Sequence, residues 1–355
     1  MSLLHDAVAR GLHVLDPEDA HGVTIQALGL GLGPRAPAHD PVLATDLAGL
    51  ALPNCVGLAP GFDKNAQVFG PMLASGFGFV ECGTVTPLAQ AGNPRPRLFR
   101  LTKDQAVINR MGFNNEGLEP FAARLGRRGP RSSAGGEGVV GANIGANKDA
   151  TDRVGDYVTG LTRLWGLASY FTINISSPNT PGLRALQTKA ALEDLLGRLT
   201  QARDALPAAG RVPIFLKVAP DLEDAEVEAI VETVVATGLS GIMVSNTTIS
   251  RPTLRSPQAG EAGGLSGAPL TDLAQQMMRR FHAAGAGRVA LVGVGGIGSG
   301  AEAYARIRAG AQAVQLYSAL VFGGPGLVMR IRRDLAQRLR ADGFQTVAQA
   351  VGVDG

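Results

Sequence analysis

The sequence predicts a (β/α)8 barrel, an α/β fold, preceded by an N-terminal helical extension. Three observations predict it: eight short and nearly uninterrupted apolar runs, helical stretches between them, and polar residues gathered where the runs end. Strands of a closed parallel barrel are covered by helices outside and by packed side chains inside, so they read as continuous rather than alternating hydrophobic segments. A chain of 355 residues, 45% hydrophobic, is long enough for one such barrel and an added segment. Its 48 glycines and 21 prolines suit many strand-to-helix turns, and they follow no Gly-X-Y period that would suggest collagen.

In chain order, two amphipathic helices are expected at about residues 3–14 and 17–31. Asp16-Pro17-Glu18 makes a good start for the second, because proline is tolerated in a first helical turn, and Ala20, Val23, Ala27, Leu28 and Leu30 supply its apolar positions. Residues 31–41, rich in Gly, Pro and Ala, read as a linker. The domain boundary therefore falls between residues 1–40, the extension, and 41–355, the barrel. Strands are expected near 53–58, 77–82, 139–144, 171–175, 213–218, 241–245, 289–293 and 312–316, and helices over 190–205, 222–237, 270–284 and 299–309. The Gly-, Ser- and Arg-rich stretch 129–138 reads as an exposed, mobile loop. An open doubly wound sheet would want Gly-x-Gly-x-x-Gly after an early strand; Gly31-Leu32-Gly33 is only a fragment of it and precedes the first strong strand.

The formal charge is +3 with 18% charged residues and no lysine-rich tail, which argues against nucleic-acid binding and leaves an anionic substrate or membrane surface open. The arginines at 330, 332, 333, 338 and 340 read as the solvated face of a C-terminal helix. Cys55 and Cys82 sit in apolar runs without a Cys-x-x-Cys partner or a neighbouring histidine, so neither a disulfide framework nor a metal site is expected, and a reducing compartment is. The N-terminus is interrupted by charge before any long apolar stretch, and no window has the length to cross a bilayer. Contact with a membrane would be from the side.

Barrel active sites lie at the C-terminal ends of the strands. The first end here carries Ala59-Pro60-Gly61-Phe62-Asp63-Lys64-Asn65, the second Thr84, the third Asn143 and the fourth Asn174 followed by Ser176-Ser177-Pro178-Asn179-Thr180-Pro181-Gly182. The fifth carries Lys217, costly to bury without an anionic partner, and the sixth Ser245-Asn246-Thr247. The seventh and eighth, Gly293-Val294-Gly295-Gly296 and Tyr317-Ser318, offer backbone N–H groups where barrels commonly hold a phosphate, implying a phosphorylated cofactor or substrate. A single Asn is more often a turn former and Gly295-Gly296 alone could be a tight turn; eight successive polar strand ends make a bare scaffold a poor reading.

Five strings, residues 59–65, Asn109-Arg110-Met111-Gly112-Phe113-Asn114-Asn115, residues 174–182, Gly263-Gly264-Leu265-Ser266-Gly267 and Val294-Gly295-Gly296-Ile297, together resemble the dihydroorotate dehydrogenase family over about residues 44–335. Soluble members usually lack the helical extension and place a cysteine as base. Here the extension is present, including the segment from Leu15 to His21, and the base position resembles Ser177, which points to the quinone-dependent class. The resemblance implies FMN, with phosphate near Gly267, Gly296, Tyr317 and Ser318, and the ring near Ala59, Pro60, Gly61, Lys64, Thr84, Asn143, Asn174, Lys217 and Ser245. Two departures stand out: Ser245 where threonine is commoner, keeping the hydroxyl, and Pro60 where alanine is commoner, losing one N–H.

The same resemblance implies (S)-dihydroorotate and orotate as substrate and product. They would be held by Lys64, Asn109, Arg110, Met111, Gly112, Phe113, Asn174, Asn179, Asn246 and Thr247, a set able both to donate to carboxylate and carbonyl oxygens and to accept from ring N–H groups. Ser177 is expected as general base with Thr180 beside it, and Lys217 as the cation favouring charge on the reduced ring. His21 and Arg100 would meet the head of ubiquinone or a similar quinone, reached between the two N-terminal helices. By itself His21 reads as a helix-surface histidine. The location implied is peripheral, on the cytoplasmic face of a bacterial inner membrane. Another FMN barrel acting on a related pyrimidine, or a flavin-binding membrane scaffold without turnover, are the alternatives. The substrate asparagines with Lys64 weigh against the first, and Ser177 with Lys217 against the second.

Overall fold

The computed structural model describes residues 2–128 and 138–355, so all of the expected loop at 129–138 except Gly138 lies outside the described residues. Thirteen strands are described: β1 (Thr45–Leu47), β2 (Leu50–Leu52), β3 (Val56–Leu58), β4 (Phe79–Val85), β5 (Leu98–Leu101), β6 (Ala106–Asn109), β7 (Val139–Ile144), β8 (Tyr170–Asn174), β9 (Ile214–Val218), β10 (Gly241–Val244), β11 (Gly264–Gly267), β12 (Ala290–Val294) and β13 (Ala313–Leu316). Eight of them close a parallel barrel in the order β3, β4, β7, β8, β9, β10, β12, β13, with Val314 of β13 paired to Val56 of β3. Each of the eight expected strands is one of these. Seven are buried at every residue and β7 at all but its first, which explains the continuous apolar runs.

Because alternate strand residues point inward, the register sorts the barrel interior into layers. The lower layer holds Phe79, Tyr170 and Phe215, packed edge to face at centroid distances of 6.3 and 5.7 Å. A Cβ on Gly57 or Gly141 would press into the rings of Phe79 and Tyr170, so glycine is what lets these aromatics fill the taper. Two positions up the same strands lie Glu81, Asn143, Thr172 and Lys217. The interior thus changes from aromatic to polar over one step of the pleat.

The helices expected between strands are Lys189–Ala205, Asp224–Ala236, Thr271–Gly285 and Gly300–Arg308. The C-terminal helix Leu327–Ala341 corrects one expectation: its arginines are more than a solvated face, since Arg332 is buried and donates to the Ala38 carbonyl, and Arg330 meets Asp6 at 2.6 Å.

The extension comprises α1 (Ser2–Gly11), a 3-10 turn Leu12–Val14, and α2 (Pro17–Gly29). Asp16 caps α2 by accepting from the Glu18 amide at 2.9 Å, with Pro17 in the first turn where its missing N–H costs nothing. Buried Asp6 ties α1 to the barrel through the Gly326 amide and Arg330, and Glu18 ties α2 through Arg97 at 2.7 Å and Arg95 at 3.1 Å. Two features went unforeseen in the sequence. One is the β1–β2 hairpin; the other is an antiparallel sheet in the order β11, β6, β5, with its own apolar cluster of Phe99, Leu101, Ala106, Ile108 and Leu265.

Candidate active site

A cavity of about 780 Å³ opens at the C-terminal ends of the barrel strands, large enough for a cofactor-sized ligand. It has three walls: the strand ends, the β5–β6–β11 sheet, and the inner faces of α1 and α2. The expected residues that line it are His21, Ala59, Pro60, Gly61, Lys64, Thr84, Arg100, Asn109, Met111, Gly112, Phe113, Asn174, Ser177, Asn179, Lys217, Ser245, Asn246, Thr247, Gly267, Gly296, Tyr317 and Ser318.

Three expected residues stand elsewhere. Arg110 turns away, pairing with Glu261 at 2.7 Å, donating to the Pro96 carbonyl at 2.9 Å and stacking 4.5 Å from the Phe99 ring centroid, so its guanidinium is spent on holding the sheet. Asn143 has no exposed surface and lies beneath Thr84; its Nδ2 donates to Glu81 at 2.7 Å and its Oδ1 accepts from Thr84 and Asn174, so its amide serves protein partners below the cavity wall. Thr180 is buried off the cavity wall, and its Oγ1 has no partner among the described residues.

The amide side chains at the mouth form one connected set. Asn179 Nδ2 donates to Asn109 Oδ1 at 3.0 Å, joining the loop after β8 to the end of β6. Asn246 Nδ2 donates to Ser176 Oγ at 3.0 Å and to Asn174 Oδ1 at 3.3 Å, joining the ends of β10 and β8. The Asn179 amide donates to Ser177 Oγ at 3.2 Å and orients that buried hydroxyl. Thr247 Oγ1 is buried against this set without a partner among the described residues.

Two lysines face the same space. Lys217 makes no hydrogen bond to a protein acceptor among the described residues; burial pushes its ammonium pKa down, and the carboxylate of Glu81 pulls it back up. Lys64 donates to the Gly61 carbonyl at 2.8 Å, and burial lowers its pKa to about 8, against the opposing pull of Glu18. Across the cavity, His21 packs edge to face on Phe62 with centroids 5.3 Å apart and lies 3.5 Å from the Tyr317 hydroxyl. Burial and then Lys64 push its pKa down to about 3, so its imidazole is neutral at physiological pH. Arg100 donates to the His13 carbonyl at 3.0 Å and fixes the turn between α1 and α2, while its buried Nε has no partner among the described residues.

At the ends of β12 and β13 the backbone is open. Gly295 and Gly296 have φ of 96° and 67°, a conformation that favours glycine, and a Cβ at 296 would strike the Thr271 backbone. Neither of their amides meets a protein acceptor among the described residues, and Ser318 Oγ stands nearby, 2.8 Å from Ser266 Oγ. Uncommitted N–H groups and a hydroxyl suit a phosphate. An uncommitted ammonium, a second lysine, a partnerless threonine hydroxyl and the cavity volume suit a flat, hydrogen-bonding ring with an anionic tail, so the residues present fit FMN.

Glu81, Ser266 and the Glu18–Arg97 pair bear on this site and were missed in the sequence. Ser266 lay within a recognised string; Glu81 lies mid-strand, where strand ends were the signal sought.

Known proteins resemble this chain along most of its length. The family model described as dihydroorotate dehydrogenase matches residues 42–339. The dihydroorotate dehydrogenase (quinone) of Rhodospirillum rubrum is 58% identical over 342 residues, 96% of this chain and 92% of that protein. That of Azorhizobium caulinodans is 55% identical over 356 residues, 99% of each chain. A crystal structure of the Eimeria tenella enzyme in complex with ferulenol superposes with a TM-score of 0.93 at 38% identity, covering 97% of this chain and 98% of that one.

Proposed function

The chain belongs to the dihydroorotate dehydrogenase family, in its quinone-dependent class, and on that premise we propose how its residues divide the reaction. The protein is an FMN-dependent oxidoreductase that oxidises dihydroorotate to orotate in pyrimidine biosynthesis and passes the electrons to a quinone. FMN, when bound, supplies the two-electron acceptor that takes a hydride from the substrate carbon.

Gly267, the amides of Gly295 and Gly296, and Ser318 would hold the cofactor phosphate, and Thr84, Lys217 and Ser245 would meet its ring. Asn109, Asn174, Asn179, Asn246 and Thr247 bind dihydroorotate, and Lys64 meets its carboxylate. Ser177 Oγ accepts the C5 proton, and Thr180, three residues on in the same loop, helps to orient its surroundings. A serine hydroxyl is a weak base, so burial of Ser177, its orientation by the Asn179 amide and exclusion of water all matter. The Lys217 ammonium opposes the negative charge that builds up beside it as hydride leaves the substrate. The convergence of Ser177, Lys217 and the asparagines on one cavity carries this assignment.

For the second half-reaction, His21 and Arg100 receive the quinone head from the side of α1 and α2, residues 1–40 acting as the quinone-access unit of the barrel domain 41–355. Among the described residues no helix is long and apolar enough to cross a membrane. The extension nevertheless exposes Val8, Val14, Leu15, Val23, Leu30 and Leu32, which supports peripheral attachment to a membrane; the face assigned is the cytoplasmic one of a bacterial inner membrane. Anaerobic mixing of the yellow holoprotein with dihydroorotate should bleach flavin absorbance, and added quinone should restore it. Folded holoprotein that stays yellow would refute the reading.

A further inference from the structure

One buried carboxylate takes no part in the chemistry above. It belongs to Glu81, the third residue of β4, which has no exposed surface. It accepts hydrogen bonds from three donors, Asn143 Nδ2 at 2.7 Å on one oxygen, Gln315 Nε2 at 2.7 Å and the Tyr170 hydroxyl at 3.0 Å on the other. Burial and Glu81 itself both push the Tyr170 phenol pKa up, so Tyr170 stays a donor.

A carboxylate offers only acceptors, so each neighbour must turn a donor toward it. Asn143 spends its Nδ2 there, which leaves Oδ1 facing the mouth to accept the Thr84 hydroxyl at 2.5 Å and Asn174 Nδ2 at 3.2 Å. With its proton committed, Thr84 Oγ1 has lone pairs left and accepts from Asn174 Nδ2 at 2.9 Å. Asn174 must then present Oδ1 upward, where it accepts from Asn246 Nδ2 at 3.3 Å and Ser176 Oγ at 3.3 Å. Amide oxygen and nitrogen have nearly the same shape, so packing alone does not choose between the two orientations of an Asn; the bonding partners do. From the barrel interior to the mouth, the direction of every bond in this chain follows from one acceptor-only group at its base.

We propose that Glu81 is a positioning residue that fixes the donor and acceptor pattern which Asn174 and Asn246 present to dihydroorotate and orotate. The proposal rests on the assignment of those asparagines to the substrate. Its carboxylate is also the counter-charge that supports the Lys217 ammonium.

The test compares holoprotein carrying Glu81→Gln, which keeps the shape and loses the acceptor-only character, with Glu81→Asp, which shortens the side chain and keeps that character. Orotate affinity, read from the change in flavin absorbance, should weaken about tenfold in Glu81→Gln, with a similar rise in KM for dihydroorotate and FMN content retained. Glu81→Asp should lower Tm and stay within about twofold of wild type in orotate affinity. Equal losses of Tm in both variants with orotate affinity unmoved would make Glu81 a packing residue and overturn the proposal. Should Glu81→Gln yield no holoprotein, Thr84→Val cuts the same chain one link higher and Thr84→Ser restores the hydroxyl. Weakened orotate binding in Val with rescue in Ser is then expected, and equal behaviour of the two overturns it. Wild-type protein that dihydroorotate fails to bleach would remove the substrate assignment itself; bleaching of wild type with unaltered orotate binding in Glu81→Gln would remove only the role of Glu81.

Discussion

The cavity has two unlike walls. The strand-end wall is polar and cross-linked: Asn174 and Lys217 sit on strands paired on both sides, Ser177 and Asn246 follow in the loops after β8 and β10, and Asn246 donates to Asn174 and Ser176 while the Asn179 amide donates to Ser177. The α1–α2 wall is joined to the rest chiefly through Asp6, Glu18 and Arg100, and it is rich in exposed apolar side chains, of which Val8, Val23 and Leu32 line the cavity. Chemistry that needs atoms held to within a fraction of an ångström belongs on the first wall, while entry of a long apolar molecule belongs on the second. The two half-reactions should therefore be separable by mutation.

The sharpest separation is expected from Ser177→Ala, which should slow anaerobic bleaching by dihydroorotate roughly 10²- to 10⁴-fold while flavin content and reoxidation by quinone hold. Stopped-flow measurement of each half-reaction checks this, and equal slowing of both would break the division. Lys217→Met should reduce the bleaching rate by roughly a hundredfold and, because it leaves the buried Glu81 carboxylate without its counter-charge, should lower Tm as well.

On the other wall, His21→Ala and Arg100→Ala should raise KM for a soluble quinone by about tenfold with dihydroorotate bleaching retained. With its pKa near 3, His21 itself should add no inflection to the quinone half-reaction between about pH 5 and 8. Lys64 should add one to the substrate side. Its ammonium is present below a pKa of about 8 and lost above it, so kcat/KM for dihydroorotate should fall as pH rises through that value, and Lys64→Met should abolish the inflection. The smallest effect expected is from Asp6→Ala, which leaves the Gly326 amide and Arg330 without their acceptor and should cost about 1–3 kcal/mol of α1 docking. That loss would appear as faster proteolysis within α1 and weaker binding to anionic vesicles, with the substrate half-reaction unaltered.

The eight barrel strands were legible because a parallel strand covered on both faces must be apolar throughout, a demand each segment meets by itself. The polar strand ends were legible for a similar reason, since the barrel puts every such end at one mouth whatever the neighbours are. The β5–β6–β11 sheet was not: β11 pairs with a strand more than a hundred residues earlier, and nothing local in Gly264–Gly267 names that partner. Arg110 illustrates the same limit, because its direction was settled by Glu261, 151 positions away, and by the Phe99 ring.

The sequence by itself determined the eight barrel strands and, through its short strings, the class of cofactor and reaction, because periodicity and short strings are properties of contiguous chain. Only the tertiary structure decided which of the expected site residues have free atoms. Asn143 stands at an expected strand end and Arg110 in a recognised string, yet both are engaged by other protein groups, while Glu81 stood unnoticed in an apolar run and governs the hydrogen bonds above it. Donors and acceptors are satisfied in three dimensions, and their partners come from strands that the chain connects only through long crossovers.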